Sequence, residues 1–168
     1  MPDALPLTSS EVALVFAPAL LAYAALTAMT VASWDPRARG AALGPRWRAL
    51  AWGALVLMTL HVALIWALRY GFDPARATRN GWSGFLTFHA AWLAASLVLW
   101  RDWRADTRAR LALLAIWLLV TSGAAPAPFR YPIVRPLAPI VLAIAGAGAV
   151  ALGAHWWRAR RARRQPLT

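Results

Sequence analysis

Residues 12–39 read VALVFAPALLAYAALTAMTVASWDPRAR. About 22 uncharged, mostly apolar residues come first, close to the ~20 that carry an α-helix across a bilayer at about 1.5 Å per residue. Then the character changes at once. Pro36 stops the helix, Trp34 suits a membrane interface, and Arg37 and Arg39 open a basic loop. The same alternation continues down the chain, with further apolar stretches at roughly 49–69, 83–100, 111–125 and 138–157, the fourth being the shortest.

The arginines are distributed unevenly between these stretches. The gaps after the first, third and fifth hold Arg37, Arg39, Arg46, Arg48, then Arg101, Arg104, Arg108, Arg110, then Arg158, Arg160, Arg161, Arg163, Arg164. The other gaps hold only Arg69, Arg76, Arg79, Arg130 and Arg135. Basic loops are retained in the cytoplasm, so this bias predicts an N-terminus outside and a cytoplasmic C-terminus. The expected fold is all-α: a polytopic five-transmembrane-helix bundle forming a single membrane domain over 1–168, with a basic cytoplasmic tail at 158–168. A bacterial inner membrane is the expected location.

Composition agrees. The chain of 168 residues is 61% hydrophobic and only 14% charged, against about 45–50% apolar in soluble domains; its mean hydropathy is +0.51. A net charge of +12 suggests nucleic acid at first sight. The arginines nevertheless cap apolar spans rather than gather on one soluble face, which excludes nucleic acid as the expected partner and points to the anionic inner leaflet of the lipid bilayer. No cysteine is present, so disulfides, thiolate metal sites and c-type haem attachment are excluded. Asp3 and Glu11 precede the first stretch where a signal peptide carries basic residues, so that stretch reads as a retained helix.

Within the fifth stretch Ala145, Ala149 and Gly153 recur every fourth position, a spacing that permits close helix–helix approach and offers a face for a partner membrane subunit or a second copy. Two longer loops are expected outside. One covers 70–82, with Asp73-Pro74 and Asn80-Gly81 as turn signals. The other, 126–137, holds Pro126, Pro128, Pro132 and Pro136 with Phe129, Arg130, Tyr131 and Arg135. Proline at that density predicts a stiff, non-helical cap, either a connector or a lid whose arginines meet an anionic ligand.

Histidines carry the most specific chemical signal. His61 lies nine residues before Tyr70, about 13 Å below the outer end of its helix, and His89 lies seven after Trp82, about 10 Å below the same end of the next. Two antiparallel helices would hold both imidazoles at nearly one depth. Such a pair can pack against backbone carbonyls, bind a metal, relay protons or ligate haem b. His155, beside Trp156 and Trp157, reads as interfacial. Gly81-Trp82-Ser83-Gly84 looks like the serine turn of rhomboid proteases but lacks a base on a neighbouring helix near it. No carboxylate falls inside an apolar interior, which argues against an ion-driven carrier.

Trp34, Gly44-Pro45-Arg46-Trp47 with Trp52, Phe88-His89-Ala90-Ala91-Trp92-Leu93-Ala94 and Pro139 together resemble the tryptophan-rich sensory protein / translocator protein family over roughly 34–120. The chain departs from the family in lacking the proline–aromatic run after Trp47 and the asparagine of the third helix. The resemblance implies an aromatic-lined pocket for porphyrins or sterol-like ligands, bounded by Trp34, Trp47, Trp52 and Trp92. Independently, broad indole faces with an N–H handle suit flat amphipathic ligands.

The leading expectation is a membrane binding protein. An outward-facing cavity for a flat hydrophobic ligand, tetrapyrrole or quinone, would involve His61, His89, Trp92, Trp52, Arg130 and Arg135. The alternatives are a b-type haem electron-transfer subunit ligated by His61 and His89, and an assembly subunit docking through helix five.

Overall fold

The computed structural model describes residues 5–35, 45–78 and 107–164, together with Trp82, Leu86, His89, Ala90, Trp92 and Leu93. Among these residues every element is helical and no strand occurs.

Helix α1 spans Ser9–Ser33. It begins three residues before the apolar stretch because Thr8 and Glu11 form a capping box. The Thr8 backbone N–H donates to Glu11 Oε2 at 2.8 Å, and the Glu11 N–H donates to Thr8 Oγ1 at 3.3 Å, satisfying amides that a helix start leaves unpaired. Helix α2, Pro45–Leu64, begins with proline, which needs no amide partner there. It continues as a π-helical turn over Ile65–Tyr70 and stops at Gly71, whose φ of 58 is left-handed. A short α3 follows at Pro74–Thr78, with the Asp73 carboxylate accepting the Ala75 N–H at 2.8 Å. Helix α4 covers Thr107–Ala124, α5 covers Ala127–Arg130, a 3-10 helix covers Pro132–Leu137, and α6 covers Ala138–Arg164.

The helices pack around α1, which contacts α2, α4 and α6. Paired residues give the directions. Leu5 N–H donates to the Arg69 carbonyl, His61 bonds the Val15 carbonyl, and Met29 packs with Ala51, so α2 is antiparallel to α1. Tyr23 Oη meets Thr121 Oγ1 at 2.7 Å, Trp117 Nε1 donates to Thr27 Oγ1 at 2.9 Å, and Met29 packs with Leu113, so α4 is antiparallel to α1 as well. On α6, Val141 shares a cluster with Tyr23, and Gly148 lies against Thr27, so α6 runs parallel to α1. The bundle therefore has a Ser9 end, where α2 and α4 finish and α6 starts, and a Trp34 end.

Among the described residues, four segments are long and apolar enough to cross a membrane: Ser9–Ser33, Trp47–Tyr70, Arg110–Arg130 and Pro132–Ala162. The expected span at 83–100 lies mostly outside the described residues. Its described members, Leu86, His89, Ala90, Trp92 and Leu93, are helical, as is Trp82 just before it.

One local expectation needs correction, and two features gain detail. The 126–137 cap is helical, as α5 plus the 3-10 helix. Pro126, Pro128 and Pro132 cap or open these short elements and so remove few internal hydrogen bonds, while Pro136 lies inside the 3-10 helix; Pro128 and Val134 are buried. The basic run at 158–164 is the last part of α6. Arginine favours helix, and Arg160 and Arg161 lie over the Trp156 and Trp157 rings at 4.3 and 5.1 Å, one turn back. Finally, close approach within the bundle is made by Gly148 rather than by the Ala145, Ala149, Gly153 stripe. A Cβ at Gly148 would lie 2.7 Å from Trp117 Cζ2 and 2.8 Å from Thr27 Cγ2. Ala145 joins the core cluster, whereas Ala149 and Gly153 are exposed.

Candidate functional site

The site expected from sequence lies towards the Ser9 end, between α1, α2 and the third apolar stretch. His61 is buried on α2. Its Nδ1 lies 2.7 Å from the Val15 carbonyl and its ring packs on Phe16, with centroids 5.5 Å apart. A carbonyl only accepts, so Nδ1 carries the proton and Nε2 is the acceptor nitrogen. That tautomer is the one in which a second-shell carbonyl orients a ligating histidine.

His89 has a different neighbour. Trp66 Nε1 donates to His89 Nε2 at 3.5 Å, and the two rings meet edge-on with centroids 6.3 Å apart. Trp92, further along the same stretch, donates its Nε1–H to Thr59 Oγ1 at 3.1 Å. Trp66 in turn meets Tyr70 edge-on at 5.9 Å. The result is an aromatic row, Tyr70–Trp66–His89, at the C-terminal end of α2, with Trp92 a few residues further towards the Trp34 end. Both Trp66 and Tyr70 belong to the π-helical turn. This widened geometry is rare and concentrates at functional positions.

Charge surrounds the row at the Ser9 end. Arg69 Nη1 donates to the Leu5 carbonyl at 2.6 Å, and with the Leu5–Arg69 backbone bond this straps the segment before α1 to the end of α2. Arg76 pairs with Asp73 at 3.5 Å. Arg130 and Arg135 are exposed on the cap, with the exposed Tyr131 between them. Arg79 lies outside the described residues.

Of the expected site residues, His89 and Trp92 are each hydrogen-bonded to α2, and His61 is bonded to α1. Trp52 is set apart: it is 49% exposed and nine residues from His61 towards the Trp34 end. Trp66, one of the tryptophans lying within an apolar stretch, is the residue that meets His89. Its contact with His89 depends on the π-turn, which a reading at 3.6 residues per turn does not anticipate. No group of three or more His, Cys, Asp or Glu suited to a metal ion occurs among the described residues. No family model, curated protein or solved structure matches this chain.

Proposed function

We propose that this chain is a five-span inner-membrane protein that binds a flat hydrophobic ligand, of tetrapyrrole or quinone type, against the Tyr70–Trp66–His89 row on the outer side. The directions of α2 and α4 support the fifth crossing. Both run antiparallel to α1, so the chain between them must return once across the bilayer, and residues 83–100 are its one apolar stretch of suitable length. The contacts His89–Trp66 and Trp92–Thr59 support the same direction, because their order is antiparallel to α2. The arginine bias then assigns the Ser9 end to the outside.

The observation that carries the ligand reading is the Trp66–His89 contact inside a π-turn. It sets a broad indole face, an imidazole and a phenol side by side, near the cations of Arg69 and Arg76. Flat amphipathic molecules with acidic or carbonyl edges match that combination. The porphyrin ligands implied by the resemblance to the tryptophan-rich sensory proteins fall in the same class.

Titration with protoporphyrin IX and with a short-chain quinone, read by tryptophan fluorescence, tests the proposal. Saturable quenching that weakens roughly tenfold in His89→Ala, from the loss of one stacked and hydrogen-bonded partner, is expected. Absence of saturable quenching with both probes rejects it.

Haem ligation is the second reading, favoured by the Nδ1-protonated tautomer of His61. His89 would have to surrender its Trp66 bond to serve as the other ligand. A Soret band in the purified protein, lost in His61→Ala and in His89→Ala, supports this reading; a colourless protein sinks it.

A further inference from the structure

Three side chains carry buried polar atoms with no hydrogen-bond partner among the described residues and no ion pair: Trp34 (Nε1), Arg110 (Nε and Nη2) and His155 (Nδ1). They belong to α1, α4 and α6, and the helix register brings them to one level. Thr27, Trp117 and Gly148 mark the point where these helices meet. Trp34 lies seven residues after Thr27, Arg110 seven before Trp117, and His155 seven after Gly148. Because α4 is antiparallel and α6 parallel to α1, all three steps lead towards the Trp34 end. Seven residues are about 20° short of two full turns and rise about 10.5 Å. The three groups therefore lie on the same converging faces, one layer beyond Thr27.

The chemistry of this layer is specific. Nε and Nη2 form one side of the guanidinium fork, the side that grips two oxygens of a single oxyanion. Trp34 adds an indole donor. Leaving such donors shielded and unbonded is costly, and an arginine in the first helical turn also opposes the macrodipole of α4. Helix stability therefore does not explain Arg110. Asp35, the one described carboxylate at this end, is engaged in an interaction of its own.

We propose that Arg110, Trp34 and His155 form an oxyanion site that takes a phosphate group at the end of the bundle opposite Tyr70. Arg158, Arg160 and Arg161 stand on the next turns of α6, with Trp156 and Trp157 under the last two. This is headgroup-level geometry, where the phosphate of an anionic lipid and free phosphate are both in reach.

The site is remote from the Tyr70–Trp66–His89 row, so its test stands apart from the porphyrin titration. Delipidated full-length protein is titrated with dioleoyl-phosphatidylglycerol, dioleoylglycerol and inorganic phosphate, with binding read by native mass spectrometry and thermal midpoint. Saturable one-to-one binding of phosphatidylglycerol but not dioleoylglycerol is expected, weakened roughly 10- to 100-fold in Arg110→Gln and less in Trp34→Phe. The same pattern with inorganic phosphate assigns the site to the free anion as well. Equal binding of both lipids without phosphate binding, or wild-type affinity in Arg110→Gln, overturns the proposal. Should Arg110→Gln not fold, Arg110→Lys and Trp34→Phe decide: unchanged affinity in both overturns it equally.

Discussion

Phe72 holds a φ of 57 while its side chain is 70% exposed. A bulky residue in the left-handed region stores about 1 kcal/mol or more of strain, and exposed packing recovers little of it. The conformation follows from the end of the π-turn, where the Trp66 carbonyl accepts from both Gly71 and Phe72. Phe72→Gly is therefore expected to stabilise the protein by about 1 kcal/mol, read as a raised thermal midpoint in detergent. A lowered midpoint would mean that Phe72 makes a contact in the membrane worth more than its strain. Gly71 is the opposite case. At φ 58 an added Cβ would be strained and would also crowd Arg76 Nη1 at 3.3 Å.

Among the elements, α6 best separates what composition can say from what packing decides. Its small residues are evident in the sequence, and so is their capacity for close approach. Which of them is used depends on the rotation of the helix about its axis, and small residues on several sides leave that rotation unmarked. The structure turns Gly148 inward and Gly153 outward, where a Cβ would meet nothing within 4 Å. Gly148→Ala should therefore cost about 1–3 kcal/mol, since it forces Trp117 and Thr27 apart. Gly153→Ala should be neutral or stabilising by up to about 1 kcal/mol through helix propensity. Chemical unfolding in mixed micelles compares the two, and a larger loss for Gly153→Ala would reveal a docked partner on that face. The same distinction runs through the candidate site. The four long apolar helices are legible because hydropathy marks them directly. The π-turn and the Trp66–His89 contact are not, because hydropathy carries no trace of a local change in helical period. The helical form of the proline-rich cap was hidden for a related reason: proline forbids helix interiors but suits first turns, and composition does not distinguish these positions.

For the whole molecule, the bundle is organised about its first helix. Thirty-nine per cent of α1's apolar window is buried, against 11% for α2 and 11% for α6. Polar side chains on α1 tie it to its neighbours through Tyr23–Thr121 and Thr27–Trp117, bonds that lipid cannot replace. With α1 and α6 parallel, the proposed five-span arrangement puts Ser10 and Ala162 on opposite sides of the membrane. An even number of crossings would place both ends on one side, and this separates five spans from four. The absence of cysteine makes the question direct to answer. Single cysteines placed at the exposed positions Ser10 and Ala162 in intact cells can be probed with a membrane-impermeant maleimide. With five spans, Ser10→Cys is labelled at once and Ala162→Cys only after permeabilisation. Labelling of both from the same side would contradict five spans.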